Sequence, residues 1–214
     1  MGQRTVIVAG ATGLVGKAII EGLLADATVG TVHALVRRPL PLTHPKLSAH
    51  VVDFQHLPAL PKADEVYLAL GTTIKVAGSQ AAFRAVDYDA NLAVAKAALA
   101  AGATRAGLVS AMGADAGSSV FYSRVKGELE QTLSQLAFQG LLIVRPSLLV
   151  GDRSTLGHPA RRGEEIGYAI SKVLGFLIPR HYKPVRATAV AQALLSGVPG
   201  TTAKTVLLSG DMVK

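Results

Sequence analysis

Residues 6–17 read VIVAGATGLVGK, an apolar run followed by Gly10, Gly13 and Gly16 and then the start of a helical pattern. In a strand–loop–helix unit of this kind, the first glycine lets the chain turn. The second lets backbone approach a ligand, and the third lets the helix pack close to the strand. The helix N-terminus then offers free N–H groups and a partial positive charge to a pyrophosphate. The spacing is GxxGxxG rather than GxGxxG, and the chain holds 22 glycines, so spacing alone is a weak signal. Its place between a buried-strand pattern and an amphipathic helix makes it specific. Gly10, Ala11, Thr12, Gly13, Leu14, Val15 and Gly16 are therefore a candidate phosphate cradle, with a tight turn and no ligand as the plainer alternative.

The rest of the chain repeats the same unit. Short runs rich in Val, Leu and Ile alternate with helical patterns, as in a parallel sheet buried on both faces. Strands are expected at 5–9, 32–36, 49–52, 65–70, 105–110, 141–145 and 205–209. Helices are expected at 14–25, at 80–101 (ended by Gly102) and at 122–138. The fold class is α/β, a doubly wound parallel sheet of about seven strands with helices on both faces. The 214 residues suit one domain, with 151–198 as a small substrate-side addition over the strand ends. That addition carries helical patterns at 164–177 and 187–195.

Composition narrows the function classes. There is no cysteine, which excludes disulfides, thiolate nucleophiles and cysteine-ligated zinc. The six histidines form neither HxxxH nor HExxH, so no metal site is expected. The N-terminus lacks a secretory pattern and no apolar stretch reaches membrane-spanning length, so a cytoplasmic location is expected. The net charge of +8 comes from scattered basic residues with few aromatics. That suits an anionic small ligand rather than nucleic acid.

The second strand runs into ALVRRP, with Arg37 and Arg38 where an NAD site wants a carboxylate for the ribose 2′-hydroxyl. Two guanidinium groups suit a 2′-phosphate, so NADP(H) is favoured over NAD(H), with an ordinary exposed basic pair as the alternative. Asp53, beside Phe54, could accept from an adenine amino group or cap its own turn. Leu70, Gly71 and Thr72 stand at the end of the fourth strand, where backbone can reach a cofactor.

The fifth strand ends at Ser110, and twelve residues later FYSRVKGE places Tyr122 and Lys126 one helical turn apart. An ammonium beside a phenol favours the phenolate and readies it for proton transfer, and a serine hydroxyl can hold an oxygen on which charge develops. That is machinery for hydride transfer between a cofactor and a carbonyl/alcohol pair. Ser118, Ser119 and Thr73 compete with Ser110 for the serine role.

GATGLVG, YSRVK and RPS at 145–147 resemble the short-chain dehydrogenase/reductase superfamily. LALGTTIKVAGSQAAFRAVDYD, LVSAMGAD, YSRVKGELE and LLIVRPSLLVGDR look like its atypical branch, which includes the HIV Tat-interacting, tumour-suppressor-like oxidoreductases. The resemblance runs over nearly the whole chain. It implies a Rossmann fold, NADP(H) at the glycine loop, Tyr122 as proton donor and acceptor, and Lys126 on the nicotinamide ribose. It also implies that Arg145, Pro146 and Ser147 lie at the cofactor, the last two near the carboxamide. The substrate expected is a small carbonyl or alcohol. A cofactor sensor without turnover and a nucleotide-sugar epimerase are the alternatives, and monomer and homodimer stay equally open.

Other residues have plainer readings. Asn91 could orient the lysine or simply be solvated, and Asp87 and Asp89, two apart on a helix, point in different directions. Arg153, Arg161 and Arg162 could steer an anionic substrate or solvate a loop.

Overall fold

The computed structural model describes residues 3–150 and 182–212. The expected helix at 164–177 and the arginines Arg153, Arg161 and Arg162 lie outside them. Among the described residues the chain runs β1 (Arg4–Ala9), α1 (Leu14–Ala25), β2 (Val29–Val36), β3 (Leu47–Val51) and β4 (Glu65–Leu68). Then come α2 (Ile74–Ala77), α3 (Gln80–Arg84), a π-helical segment (Ala85–Ala90), α4 (Asn91–Ala100), β5 (Arg105–Val109), α5 (Phe121–Leu133) and β6 (Gly140–Arg145). A short parallel pair, β7 (Leu149–Val150) and β8 (Val185–Arg186), precedes α6 (Ala187–Gly197) and β9 (Lys204–Leu208).

Seven strands form one parallel sheet in the order β3-β2-β1-β4-β5-β6-β9. This is the Rossmann-like α/β fold. Period-two alternation within each buried strand builds a core on each face. Val6 and Val8 of β1 pack with Ile19 and Leu23 of α1 and with Val190 and Leu194 of α6. Ile7 and Ala9 of the same strand pack with Val94 and Ala98 of α4 and with Leu129 and Leu133 of α5.

Two elements differ from the sequence reading. The helix expected over the strand ends at 187–195 is α6, the crossover helix into β9, and it lies against α1 on the sheet face. The single helix expected over 80–101 is three pieces: α3, the π segment and α4. Asn91 explains how the widened turn is tolerated. Its Nδ2 donates to the carbonyls of Val86 (3.3 Å), Asp87 (3.1 Å) and Leu70 (3.1 Å), so backbone acceptors at the irregularity are satisfied by a side chain.

The chain passes from β1 outward through β2 to β3 and then returns to place β4 on the other side of β1. The strand order reverses between β1 and β4, and in such sheets the crevice beyond the strand C-termini at that point is where ligands bind.

Candidate functional site

The glycine loop sits at that reversal. Gly10 has φ +94°, and a Cβ there would lie 2.3 Å from the Ala69 carbonyl oxygen at the end of β4. A Cβ on Gly16 would lie 1.9 Å from the Gly10 carbonyl oxygen, so α1 seats directly on the loop. Gly13 is different. Its φ is −79°, and an added Cβ would meet only the Gly10 carbonyl oxygen, at an ordinary 3.4 Å. Protein packing thus accounts for two of the three glycines, and the third keeps an open surface at the N-terminus of α1. Its N-cap, Gly13, has no side chain to cap it and no acidic residue stands in its first turn, which leaves it fit for an anion. The residues present therefore fit a dinucleotide phosphate.

These glycines separate by experiment. Gly16→Ala destabilises the fold by about 1–3 kcal/mol through overpacking, measured by urea unfolding. Gly13→Ala costs less than about 1 kcal/mol, the difference between the two residues at a helix N-cap, while it weakens binding of a dinucleotide phosphate at the loop.

Strand register carries the basic pair to the same edge. Ala9 pairs with Leu35 of β2, so Arg37 and Arg38 lie just beyond the strand, beside the glycine loop, and both are exposed. Val36 pairs with Val51 of β3, which brings Asp53 alongside. Asp53 caps its own turn: its carboxylate accepts from the Gln55 N–H (2.9 Å) and contacts His56 Nδ1 (3.0 Å). The His56 hydrogen bond, then that of Gln55, holds this carboxyl below the usual range. Phe54 packs its ring against the apolar cluster under β4.

On the opposite side of the reversal stand the reactive candidates. Tyr122 opens α5 half-buried, its ring 5.4 Å from that of Phe83 between centroids. One turn on, Lys126 is buried, and its Nζ lies 2.7 Å from Oδ1 of the buried Asp87. The same Nζ would be 3.9 Å from a Cβ on Gly71, which places the ammonium under the loop leaving β4. The other Asp87 oxygen, Oδ2, accepts the Thr72 N–H at 2.8 Å. Gly127 follows the lysine because a Cβ there would sit 2.2 Å from the Ala116 nitrogen, so the loop before Tyr122 crosses the helix at that point.

Ser110 is buried at the end of β5, and its hydroxyl donates to Oε1 of Glu130. Glu130 is paired in turn with Arg145, whose Nη2 lies 2.6 Å from Oε2. Hydrogen bonding to Glu130 holds the Arg145 guanidinium above its usual range. Ser110, Glu130 and Arg145 thus tie the ends of β5 and β6 to α5. Glu130→Gln leaves Arg145 without a counter-charge and should cost about 2 kcal/mol in urea unfolding. Of the competing hydroxyls, Ser118 Oγ accepts the Val120 N–H (3.1 Å) and Thr73 Oγ1 caps α2 by accepting from Val76 (3.2 Å), while Ser119 is exposed.

Beyond β6, the Pro146 carbonyl accepts the Met112 N–H at 2.9 Å. The Ser147 hydroxyl donates to the Lys183 carbonyl at 2.6 Å and its N–H to Ser209 Oγ at 2.7 Å. The sequence reading set Asp87 aside with Asp89 and missed Glu130. Both Asp87 and Glu130 are buried carboxylates, and burial of an acid is the signal that a one-dimensional reading lacks.

Residues 10–172 match the NAD(P)H-binding family. The chain belongs to that family. Within it, the chain is 36% identical over 167 residues to the mitochondrial protein FMP52 of Coccidioides immitis, covering 71% of this chain and 68% of that one. It is 35% identical over 160 residues to protein HTATIP2 of Rattus norvegicus, covering 72% and 66%. An oxidoreductase of the short-chain dehydrogenase/reductase family from Burkholderia thailandensis superposes with TM-score 0.70 at 19% identity, over 99% of this chain and 93% of that one. The protein therefore has a Rossmann-like NAD(P)-binding fold. The cytoplasmic location expected from the sequence is overturned, because several curated relatives are named mitochondrial proteins. A missing secretory pattern and a missing membrane-spanning stretch do not distinguish the cytoplasm from the mitochondrion. Among the described residues no helix is long and apolar enough to cross a membrane.

Proposed function

We propose that the protein is an NADP(H)-dependent oxidoreductase that interconverts a small carbonyl and its alcohol. The observation that carries this reading is the placement of half-buried Tyr122 one turn before buried Lys126, whose Nζ lies under Gly71 at the strand-end edge that also bears the glycine loop. The cofactor, when bound, supplies or receives the hydride. Residues 10–16 hold its pyrophosphate with backbone N–H groups at the start of α1. Arg37 and Arg38 grip the 2′-phosphate; neither makes a hydrogen bond or ion pair with a described residue, so both guanidinium groups are available.

Tyr122 gives its phenolic proton to the carbonyl oxygen in reduction and takes it back in oxidation. Lys126 stabilises the phenolate by its charge and holds the ribose hydroxyls. Leu70–Thr72 and Pro146–Ser147 line the nicotinamide side with backbone. Ser110 has already given its hydrogen to Glu130, so it can meet a substrate only with its lone pairs. That one observation favours a second reading, an NADP(H) sensor with the same cradle and no turnover.

Titration of the protein with NADPH and NADH, followed by nucleotide fluorescence and calorimetry, tests the common part of both readings. One site per chain and tighter binding of NADPH are expected. No heat or fluorescence change with either nucleotide removes the cofactor reading altogether.

A further inference from the structure

We propose that Asp87 is the positioning residue for Lys126 and couples it to the loop that leaves β4. This deepens the oxidoreductase reading and rests on it. The π segment gives the helix a wider turn between α3 and α4, and Asp87 is carried on it into the interior, where it is 1% exposed. Each part of this residue has a partner in the candidate site. Oδ1 faces the Lys126 ammonium at 2.7 Å as a charge pair without a well-directed hydrogen bond. Oδ2 accepts the Thr72 N–H at 2.8 Å, and the backbone carbonyl accepts Asn91 Nδ2 at 3.1 Å.

Asn91 Nδ2 also reaches the Leu70 carbonyl at 3.1 Å. Leu70 and Thr72 are therefore fastened on either side of Gly71, one to Asn91 and the other to Asp87. Exposed Gly71 lies between them, where a Cβ would come within 3.5 Å of Asp87 Oδ1 and 3.9 Å of Lys126 Nζ.

Two consequences follow from chemistry. An ammonium on a four-carbon stem has no fixed place, and burial makes it costly to keep charged without a carboxylate. Asp87 supplies both the counter-charge and the place. Lysine has three N–H donors, so engagement with a single carboxylate oxygen leaves donors for ribose hydroxyls. Because the same carboxylate holds Thr72, displacement of the strand-end loop and displacement of the lysine are one event. An ion pair that served only the fold would not need its lysine on the Tyr122 helix or its second oxygen on the cofactor-side loop.

The test is a double-mutant cycle read by NADPH affinity in wild type, Asp87→Asn, Lys126→Met and the double variant, each measured well below its melting temperature. Asp87→Asn should weaken NADPH about tenfold, Lys126→Met by a similar factor, and the double variant should lie within about twofold of Lys126→Met, since coupled residues are not additive. Wild-type affinity in Asp87→Asn, or an equal loss from Asp87→Asn in both backgrounds, overturns the proposal while leaving the cofactor reading intact. Failure of the wild type to bind either nucleotide overturns both. Asp87→Glu covers the case in which Asp87→Asn does not fold. It keeps the charge pair but moves the carboxylate by one methylene, so binding weakened by about threefold or more is expected. Unchanged binding in that variant contradicts the proposal.

Discussion

Tyr122→Phe lowers turnover of a carbonyl substrate by about 100- to 10,000-fold, the range for losing a positioned general acid. The substitution removes one oxygen and leaves the ring, which packs near Phe83 at 5.4 Å between centroids, so the fold is retained. NADPH affinity is retained as well, because the phenol is assigned to the substrate oxygen and not to the nucleotide. The split is the informative part. Loss of turnover with binding intact places Tyr122 in the proton step, whereas loss of both marks it as structural. Full turnover in Tyr122→Phe removes the catalytic assignment and leaves the cofactor cradle untouched. The measurement is NADPH consumption over a panel of small carbonyls, with binding followed in parallel.

Arg37→Ala/Arg38→Ala lowers NADPH affinity by about 100-fold, as expected for the loss of two charge-assisted contacts to one phosphate. Its effect on NADH is less than about threefold, because NADH lacks the 2′-phosphate on which those contacts are made. Both side chains are exposed just past β2, so stability is unchanged. The affinity ratio of the two nucleotides therefore reports on these arginines alone. Adding salt weakens the NADPH preference of the wild type, since exposed charge contacts are screened. Equal affinity of the wild type for both nucleotides contradicts the role given to the pair.

Much of this was legible in the sequence where physics acts locally. The strands of this sheet are buried on both faces, so they appear as short apolar runs, and all seven lie within a few residues of their expected places. Helix α1 begins and ends where the pattern placed it, because three glycines and an apolar stripe set its bounds. Periodicity failed where the helix is irregular. Over 80–101 a constant 3.6-residue period puts Asp87 on an undistinguished face, and the π segment changes that phase. In this alanine-rich stretch small apolar residues occupy every face, so the sequence carries no stripe from which to detect the change.

The partners of Ser110 and Arg145 were hidden for a different reason. Glu130 stands one turn after Lys126, and only the packing of β5 and β6 against α5 shows that it faces both. The same holds for α6. Its apolar face fits either a place over the strand ends or a crossover layer, and the strand that follows it decides for the layer. Asp53 was open between adenine and its own turn, and the turn bonds are short-range interactions that form without a ligand.

The most direct test of the central claim is transfer of deuterium from NADPH labelled at nicotinamide C4 to a panel of small aldehydes and ketones, read by mass spectrometry of the products. Alcohols that carry the label on the former carbonyl carbon are expected from the wild type, with their formation suppressed in Tyr122→Phe. Saturable NADPH binding with no labelled alcohol from any member of a broad panel would contradict that claim and leave the sensor reading in its place.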